Sequence, residues 1–457
     1  MHRNLTPSTQ NKLLRRVLGG ALVLVAAPGL MAQSTDLTSY LGPGISSPGA
    51  GSIGSRSGEQ AELRFYLGVS GVADSTIAPF VTDSKGNLIR IPNLYGIEAH
   101  GGAYGVHHWK RSQLALDYAG SYTKYFNSDA YNSTNHALTL GYTNQISRRL
   151  KLDLRESAGS LTYGAGQVAN AASSELNASF TPAVRLFDTR TYYLQSSVTA
   201  TYLQSARMSY TAGAGTFLQN LKSTGLSNSW GYNFDGSVRR RMSKTSTLGA
   251  TYSYSHFEFP GFSSKADSHI FQGLYATSLG PFWTLSIEAG ATITQGESLL
   301  TFALTPALAA ILGQSTITGI SSYQTMYPSG AVTLRRQFRR ASMGFNYFRG
   351  VNSGNGAYNT GRLDNITASL SYTALRKLNV GADGGYYTLK AIGQSLGSFS
   401  QYSVGGGITY GLGHDMHLSV RYDYRDQQID ISNYKHNGSR ATVGLNYSPG
   451  SLPLSLW

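Results

Sequence analysis

From Ala61 onward, apolar residues fall at every second position with few interruptions. The clearest runs are Leu63, Phe65, Leu67, Val69; Leu114, Leu116, Tyr118; Leu138, Leu140, Tyr142; Leu150, Leu152, Leu154; Leu285, Ile287, Ala289, Ala291, Ile293; Ile366, Ala368, Leu370, Tyr372; and Leu418, Val420, Tyr422, Tyr424. A period of two puts successive side chains on opposite faces of a strand, so the sustained pattern predicts strands whose two faces meet different media. The intervening positions carry Thr, Ser, Asn, Gly and charges.

The connections between these runs come in two alternating kinds. Short, basic ones are Lys110-Arg111-Ser112, Arg148-Arg149, Gln204 to Arg207, Arg241 to Lys244, Gly280-Pro281, Arg339-Arg340, Arg376-Lys377 and Gly413-His414-Asp415. Longer, polar ones run over 73–93, 126–133, 164–189, 220–225, 260–267, 296–329, 351–361, 393–398 and 430–438. The alternation predicts an all-β chain of about 18 antiparallel strands, with 16 as the alternative because 164–225 does not divide cleanly. A two-sheet sandwich would also alternate, but with polar outward faces, and about 18 strands is far more than such a domain holds.

No segment beyond the N-terminus is long and apolar enough for a membrane helix; the nearest, Leu299 to Leu312, is short and contains Pro306. A membrane form must then be a closed barrel, because backbone groups in lipid need internal partners. The N-terminus reads as a secretory signal over 1–32: basic Lys12, Arg15 and Arg16, the apolar run Val17 to Ala27, and Ala32 at the cleavage position. Residues 33–60 are Ser/Gly-rich without period and read as a flexible lead-in. The chain has no cysteine, so disulfides cannot hold the exported fold and a large backbone hydrogen-bond ladder must. Its net charge of +14 stays positive once the leader's Arg3, Lys12, Arg15 and Arg16 are discounted.

These features together, with the terminal aromatic Trp457 after Val443 to Tyr447, resemble Gram-negative outer-membrane β-barrels of the porin-like kind over 61–457. The resemblance implies a transmembrane barrel with short periplasmic turns and long extracellular loops, integral to the outer membrane. Tyr447 and Trp457 would serve as the insertion signal read by the barrel-assembly machinery. Pro449 and Pro453 depart from the usual ending and stop the last regular strand near Tyr447. The implied surroundings are outer-membrane lipids and lipopolysaccharide, and homo-oligomerisation stays open.

If the leucines of 150–154 meet lipid, Lys151, Asp153 and Arg155 meet the interior. The same parity assigns Arg64, Asp117, Glu288, Arg335, Asp383, Arg421, Asp423 and Arg425 to the lumen, with Glu62 and Arg440 beside them. Both signs are interspersed, which fits either a pore that orients dipolar solutes or a satisfied polar interior. Tyr125, Trp109, Trp230, Tyr254, Trp283, Tyr347, Tyr386 and Tyr410 are expected at the headgroup level. The segment 299–312 is, by the same resemblance, a candidate lumen constriction or a rim cap.

No cofactor, metal site or enzyme is expected. His107-His108 and His414-Asp415-Met416-His417 lack further convergent ligands. Gly384-Gly385 and Gly405-Gly406-Gly407 lie in strand patterns with no helix to follow, unlike a phosphate loop. The basic turns suit anionic headgroups; dispersed over separate turns of an exported chain, they do not suit nucleic acid. The function expected is passive diffusion of small polar solutes. The alternative is a non-conducting barrel serving export, adhesion or assembly.

Overall fold

The computed structural model describes residues 63–77, 93–162, 190–222, 226–303, 316–338, 340–354, 359–375, 377–392, 397–413, 415–430 and 434–449. The leader, the lead-in, Glu62 and Trp457 lie outside the described residues. Eighteen strands follow one another: β1 (Arg64–Asp74), β2 (Leu94–His108), β3 (Ser112–Tyr125), β4 (Ser133–Gln145), β5 (Leu150–Leu161), β6 (Thr191–Leu203), β7 (Met208–Leu221), β8 (Ser229–Arg241), β9 (Ser246–Phe259), β10 (Ser264–Leu279), β11 (Trp283–Ala303), β12 (Thr316–Gln337), β13 (Ala341–Asn352), β14 (Gly361–Leu375), β15 (Leu378–Ala391), β16 (Ser398–Gly411), β17 (Met416–Ile429) and β18 (Tyr434–Tyr447). Each pairs antiparallel with its sequence neighbour, and β1 pairs with β18, so the sheet closes on itself. Closure leaves no open edge, which is what a sheet in lipid requires.

The tight turns set the register. In three of them a serine hydroxyl closes the loop. Ser147 Oγ accepts the amides of Arg149 and Leu150 at 3.2 and 3.1 Å; Ser205 Oγ accepts those of Arg207 and Met208 at 3.2 and 3.1 Å. Ser243 Oγ accepts those of Thr245 and Ser246 at 3.1 and 3.0 Å. The serine substitutes for a backbone acceptor and leaves the central turn residues facing water. Between β10 and β11 the reversal instead uses Gly280, whose φ of 78° disfavours any side chain.

One face of every strand points outward and is apolar: Leu67 and Val69 on β1, Leu154 on β5, Leu218 on β7, Ile408 on β16 and Val443 on β18 are all strongly exposed. Aromatics bracket this band. Tyr202, Tyr210, Tyr410 and Tyr447 lie toward the tight turns, and Tyr95, Tyr192, Trp230 and Tyr402 toward the long connections. On β6 the bracketing pair is Tyr202 and Tyr192, a run that matches the roughly 9–11 residues a tilted strand needs to cross a bilayer. The molecule is thus a membrane-spanning barrel with short turns at the periplasmic rim and long connections at the extracellular one. Leu154→Arg is expected to cost about 2–4 kcal/mol of folding free energy in vesicles. Thr199→Arg, beside Asp153 on the inner face, should stay within about 1 kcal/mol of wild type. Equal losses in urea titrations would refute the outward assignment of Leu154.

Three expectations need correction. Residues 296–329 are not one loop: β11 and β12 stay paired to Ala303 and Thr316, so Leu299 to Ala303 is strand, and 304–312 lies outside the described residues. The alternation fades there because a hairpin rising clear of the bilayer has the same medium on both faces. Strands β10 and β18 likewise start inside stretches read as loop, at Ser264 and Tyr434. Tyr125 is no headgroup anchor; it faces inward at 1% exposure and packs with Val72, Ile77 and Leu94. The division of 164–225 resolves into β6 and β7, giving the count of 18.

Candidate functional site: the charged inner wall

Parity and register put Arg64, Asp117, Lys151, Asp153, Arg155, Glu288, Arg335, Asp383, Arg421, Asp423 and Arg425 on the inward face of their strands. They do not converge on one point. Lys151 and Asp153 stay together on β5, with Lys151 Nζ 3.3 Å from Asp153 Oδ1 and Thr143 Oγ1 donating to that oxygen at 2.6 Å. Arg155 lies one inward step further along the same strand. Arg64 pairs in register with Tyr104, which in turn pairs with Asp117. Glu288 stands apart, on β11.

The rest form a ladder. Arg335 pairs across to Gly344, then the same row passes through Ser369, Asp383, Gly405, Asp423, Arg440 and Asp74 on successive strands from β12 to β1. Barrel strands tilt, so a row perpendicular to them climbs as it circles. This one starts near the tight-turn end of β12 and finishes at the last residue of β1. It is a charged stair from one mouth toward the other, and it was invisible in the sequence because its members lie on eight different strands.

Several bridges in this wall skip a strand, and in two of them a Cβ on the intervening glycine would collide with the bridging side chains. Arg421 Nη2 donates to Asp383 Oδ1 at 2.9 Å on β15 and to Asp423 Oδ1 at 2.5 Å on its own strand β17. The strand between is represented by Gly405, where a Cβ would come within 2.3 Å of Asp423 Oδ1 and 2.6 Å of Arg421 Nη2. On the other side, His100 Nε2 of β2 donates to Asn446 Oδ1 of β18 at 2.6 Å, above Gly68 of β1. Here too a Cβ would lie 2.3 Å from both side chains. A closer-packed residue at either glycine would block the bridge.

The seam where the first and last strands meet carries the most buried charge. Arg440 reaches Asp74 Oδ2 of β1 at 3.3 Å through Nη1 and Glu98 Oε2 of β2 at 2.6 Å through Nη2. Asp74 also accepts from Thr76 N and Oγ1 (2.8 and 2.7 Å) and from Tyr125 Oη (3.3 Å); Glu98 accepts from Thr123 Oγ1 (3.0 Å). Arg425 donates to the Thr76 carbonyl. Asp74, Glu98 and His100 were not singled out in the sequence. Asp74 sat in an apparent loop, but Glu98 and His100 alternate with Tyr95, Ile97 and Ala99, and that parity was a usable signal.

Toward the extracellular end apolar contacts cross the lumen and narrow it. Leu226, from the connection between β7 and β8, packs against Leu363, Tyr387, Leu389 and Phe399 of β14, β15 and β16. Val351, at the end of β13, packs against Phe217, Phe257, Phe259 and Ala266 of β7, β9 and β10. Neighbouring strands are about 4.8 Å apart, so partners several strands away meet only if the chain turns into the barrel. After Val351 it does: Asn352 Oδ1 accepts the amide of Gly354 at 2.9 Å, and Gly354 has φ 78°. The described constriction is therefore built by Leu226 and Val351.

Among the described residues no group of three or more His, Asp or Glu could hold a metal. A Gly-x-Ser-x-Gly spacing does occur, Gly393-Gln394-Ser395-Leu396-Gly397. It joins two antiparallel strands rather than a strand to a helix, which removes the nucleophile-elbow reading.

No protein-family model matches the chain, and no curated protein matches it. Similar solved structures include the ferric citrate transporter FecA in its unliganded form, at TM-score 0.41 and 10% identity over 85% of this chain and 64% of that one. Pseudomonas aeruginosa OccK2 (OpdF) in complex with glucuronate gives TM-score 0.41 and 12% identity over 84% and 98%. Acinetobacter baumannii OccAB4 gives 0.39 and 10% over 86% and 99%. The chain thus spans less than two thirds of FecA's length. Similarity at this level adds nothing to the membrane-spanning assignment, which rests on ring closure and the apolar outer band.

Proposed function

We propose that this protein is a porin-like outer-membrane channel for small polar solutes, narrowed at its extracellular end. The observation that carries the reading is the contrast between the two halves of the inner wall. Toward the periplasm the inward positions are polar, with partly exposed Lys151, Asp153, Asp383 and Arg421. Such a lining is costly against lipid or a dry core and is at home against water. Toward the outside the lumen is crossed by the Leu226 and Val351 contacts. Mixed charge on a shared row gives a transverse field that suits dipolar solutes.

The crossing contacts also favour a second reading, a barrel shut by its own connections that serves as an envelope partner. Conductance after reconstitution of heat-modifiable protein into planar bilayers separates the two. Small, discrete current steps are expected. A folded barrel that passes no current at any voltage would leave only the second reading.

A further inference from the structure

Building on the channel reading, we propose that the pore selects small anions, through a collar of cations at its periplasmic mouth. The topology gathers at one rim basic residues that the sequence scatters. Lys110 and Arg111 join β2 to β3, Arg148 and Arg149 join β4 to β5, and Arg207 joins β6 to β7. Lys244 joins β8 to β9, Arg340 joins β12 to β13, and Lys377 joins β14 to β15. All are exposed or half-exposed, and none makes an ion pair with a carboxylate among the described residues. Among the described residues of all the tight turns the one carboxylate is Asp415, between β16 and β17. The inward faces of the strands carry both signs; the excess of one sign lies in the turns.

The arrangement follows from local chemistry. The serine-closed turns satisfy their own amides and leave the central residues exposed or half-exposed, so Arg148, Arg149, Arg207 and Lys244 sit there with no carboxylate partner among the described residues. Successive tight turns are separated by two strand spacings, roughly 10 Å. That is close to the Debye length at 0.1 M salt, so the fields of the four successive turns from β2–β3 to β8–β9 overlap into one positive arc of the mouth, and those of β12–β13 and β14–β15 into a second. Low-dielectric walls focus such arcs on the entrance, where they concentrate anions and deplete cations. Inside, the four acids Asp383, Asp423, Asp74 and Glu98 are met by the four bases Arg335, Arg421, Arg425 and Arg440 of the same stretch of wall, so the lumen does not cancel the preference set at the mouth.

The test is the reversal potential of the full chain in a planar bilayer of zwitterionic lipid under a gradient of dilute potassium chloride. A chloride-over-potassium permeability ratio of roughly 10 is expected, the low end of what focused fields achieve. In Lys110→Gln/Arg111→Gln/Arg148→Gln/Arg149→Gln the ratio should fall most of the way to unity, with current retained. Lys244→Gln/Arg340→Gln/Lys377→Gln, on another arc, should give a partial fall and covers the case where the first variant does not fold by gel shift. A conducting wild type that prefers potassium would overturn the anion preference, and folded variants whose ratio is unchanged would overturn the collar as its source and assign these cations to lipid headgroups. Absence of any current is a different result: it removes the channel reading itself, and the preference with it.

Discussion

Arg440→Ala is expected to lower folding stability by about 3–5 kcal/mol, the loss typical of removing one partner from a buried charge pair. The reason is geometric. Arg440 is 8% exposed and is shared by Asp74 and Glu98, which lie on two other strands across the closing seam. Without the guanidinium, two carboxylates face each other in a water-poor stretch of the inner wall, left with hydroxyl and amide donors and with the His100 ring 3.9 Å from Glu98. The seam joins residues 366 apart in sequence, so its closure must overcome the largest loop entropy in the barrel. The exposed pair Lys265 to Glu297 has comparable geometry at 3.0 Å but lies in water, and Lys265→Ala should cost far less. The measurement is urea unfolding in vesicles. A triple variant, Arg440→Met/Asp74→Asn/Glu98→Gln, should recover much of the loss, because no orphaned charge remains. If Arg440→Ala melts no earlier than Lys265→Ala, the seam network contributes nothing to closure.

The second large effect is on transport. Leu226→Asp should increase unitary conductance severalfold. A carboxylate cannot stay among Leu363, Tyr387, Leu389 and Phe399 without a partner, so the β7–β8 connection should leave the cluster and swing toward water. Leu226→Met keeps volume and apolarity and should conduct like wild type. The strands behind the connection are held by their own ladders, so the barrel should remain heat-modifiable in both variants. Unchanged current steps in folded Leu226→Asp would mean that the Leu226 contact does not limit flow.

The sequence and structure agree most closely where the bilayer imposes two media. On β5 and β17 the alternation assigned every side, because Leu150, Leu152 and Leu154 or Leu418, Val420 and Tyr422 have no alternative to facing outward. Agreement fails where that asymmetry ends. The upper β11–β12 hairpin has no period of two and reads in the sequence as a loop. Tyr125 was placed by residue type at the lipid interface, yet register with Gly96 and proximity to Asp74 turn it inward. Arg349 and Asp364 make the converse point. They pair on the outer wall at 2.5 Å, beyond the apolar band, where charge is no longer excluded.

The sequence by itself determined the all-β class, the sidedness of the membrane-crossing strands and the alternation of tight and long connections, because each depends on neighbours two residues apart or on the chemistry of a single turn, and it left the count between 16 and 18. Only the tertiary structure decided which of those strands close the ring, that Arg335, Asp383, Asp423, Arg440 and Asp74 share one climbing row, and that Leu226 and Val351 cross the lumen. It also decided that cations spread over six separate turns gather at one rim. These are relations between residues tens to hundreds of positions apart, fixed by register around the barrel and by the inward bend of two connections, and no local pattern carries that information.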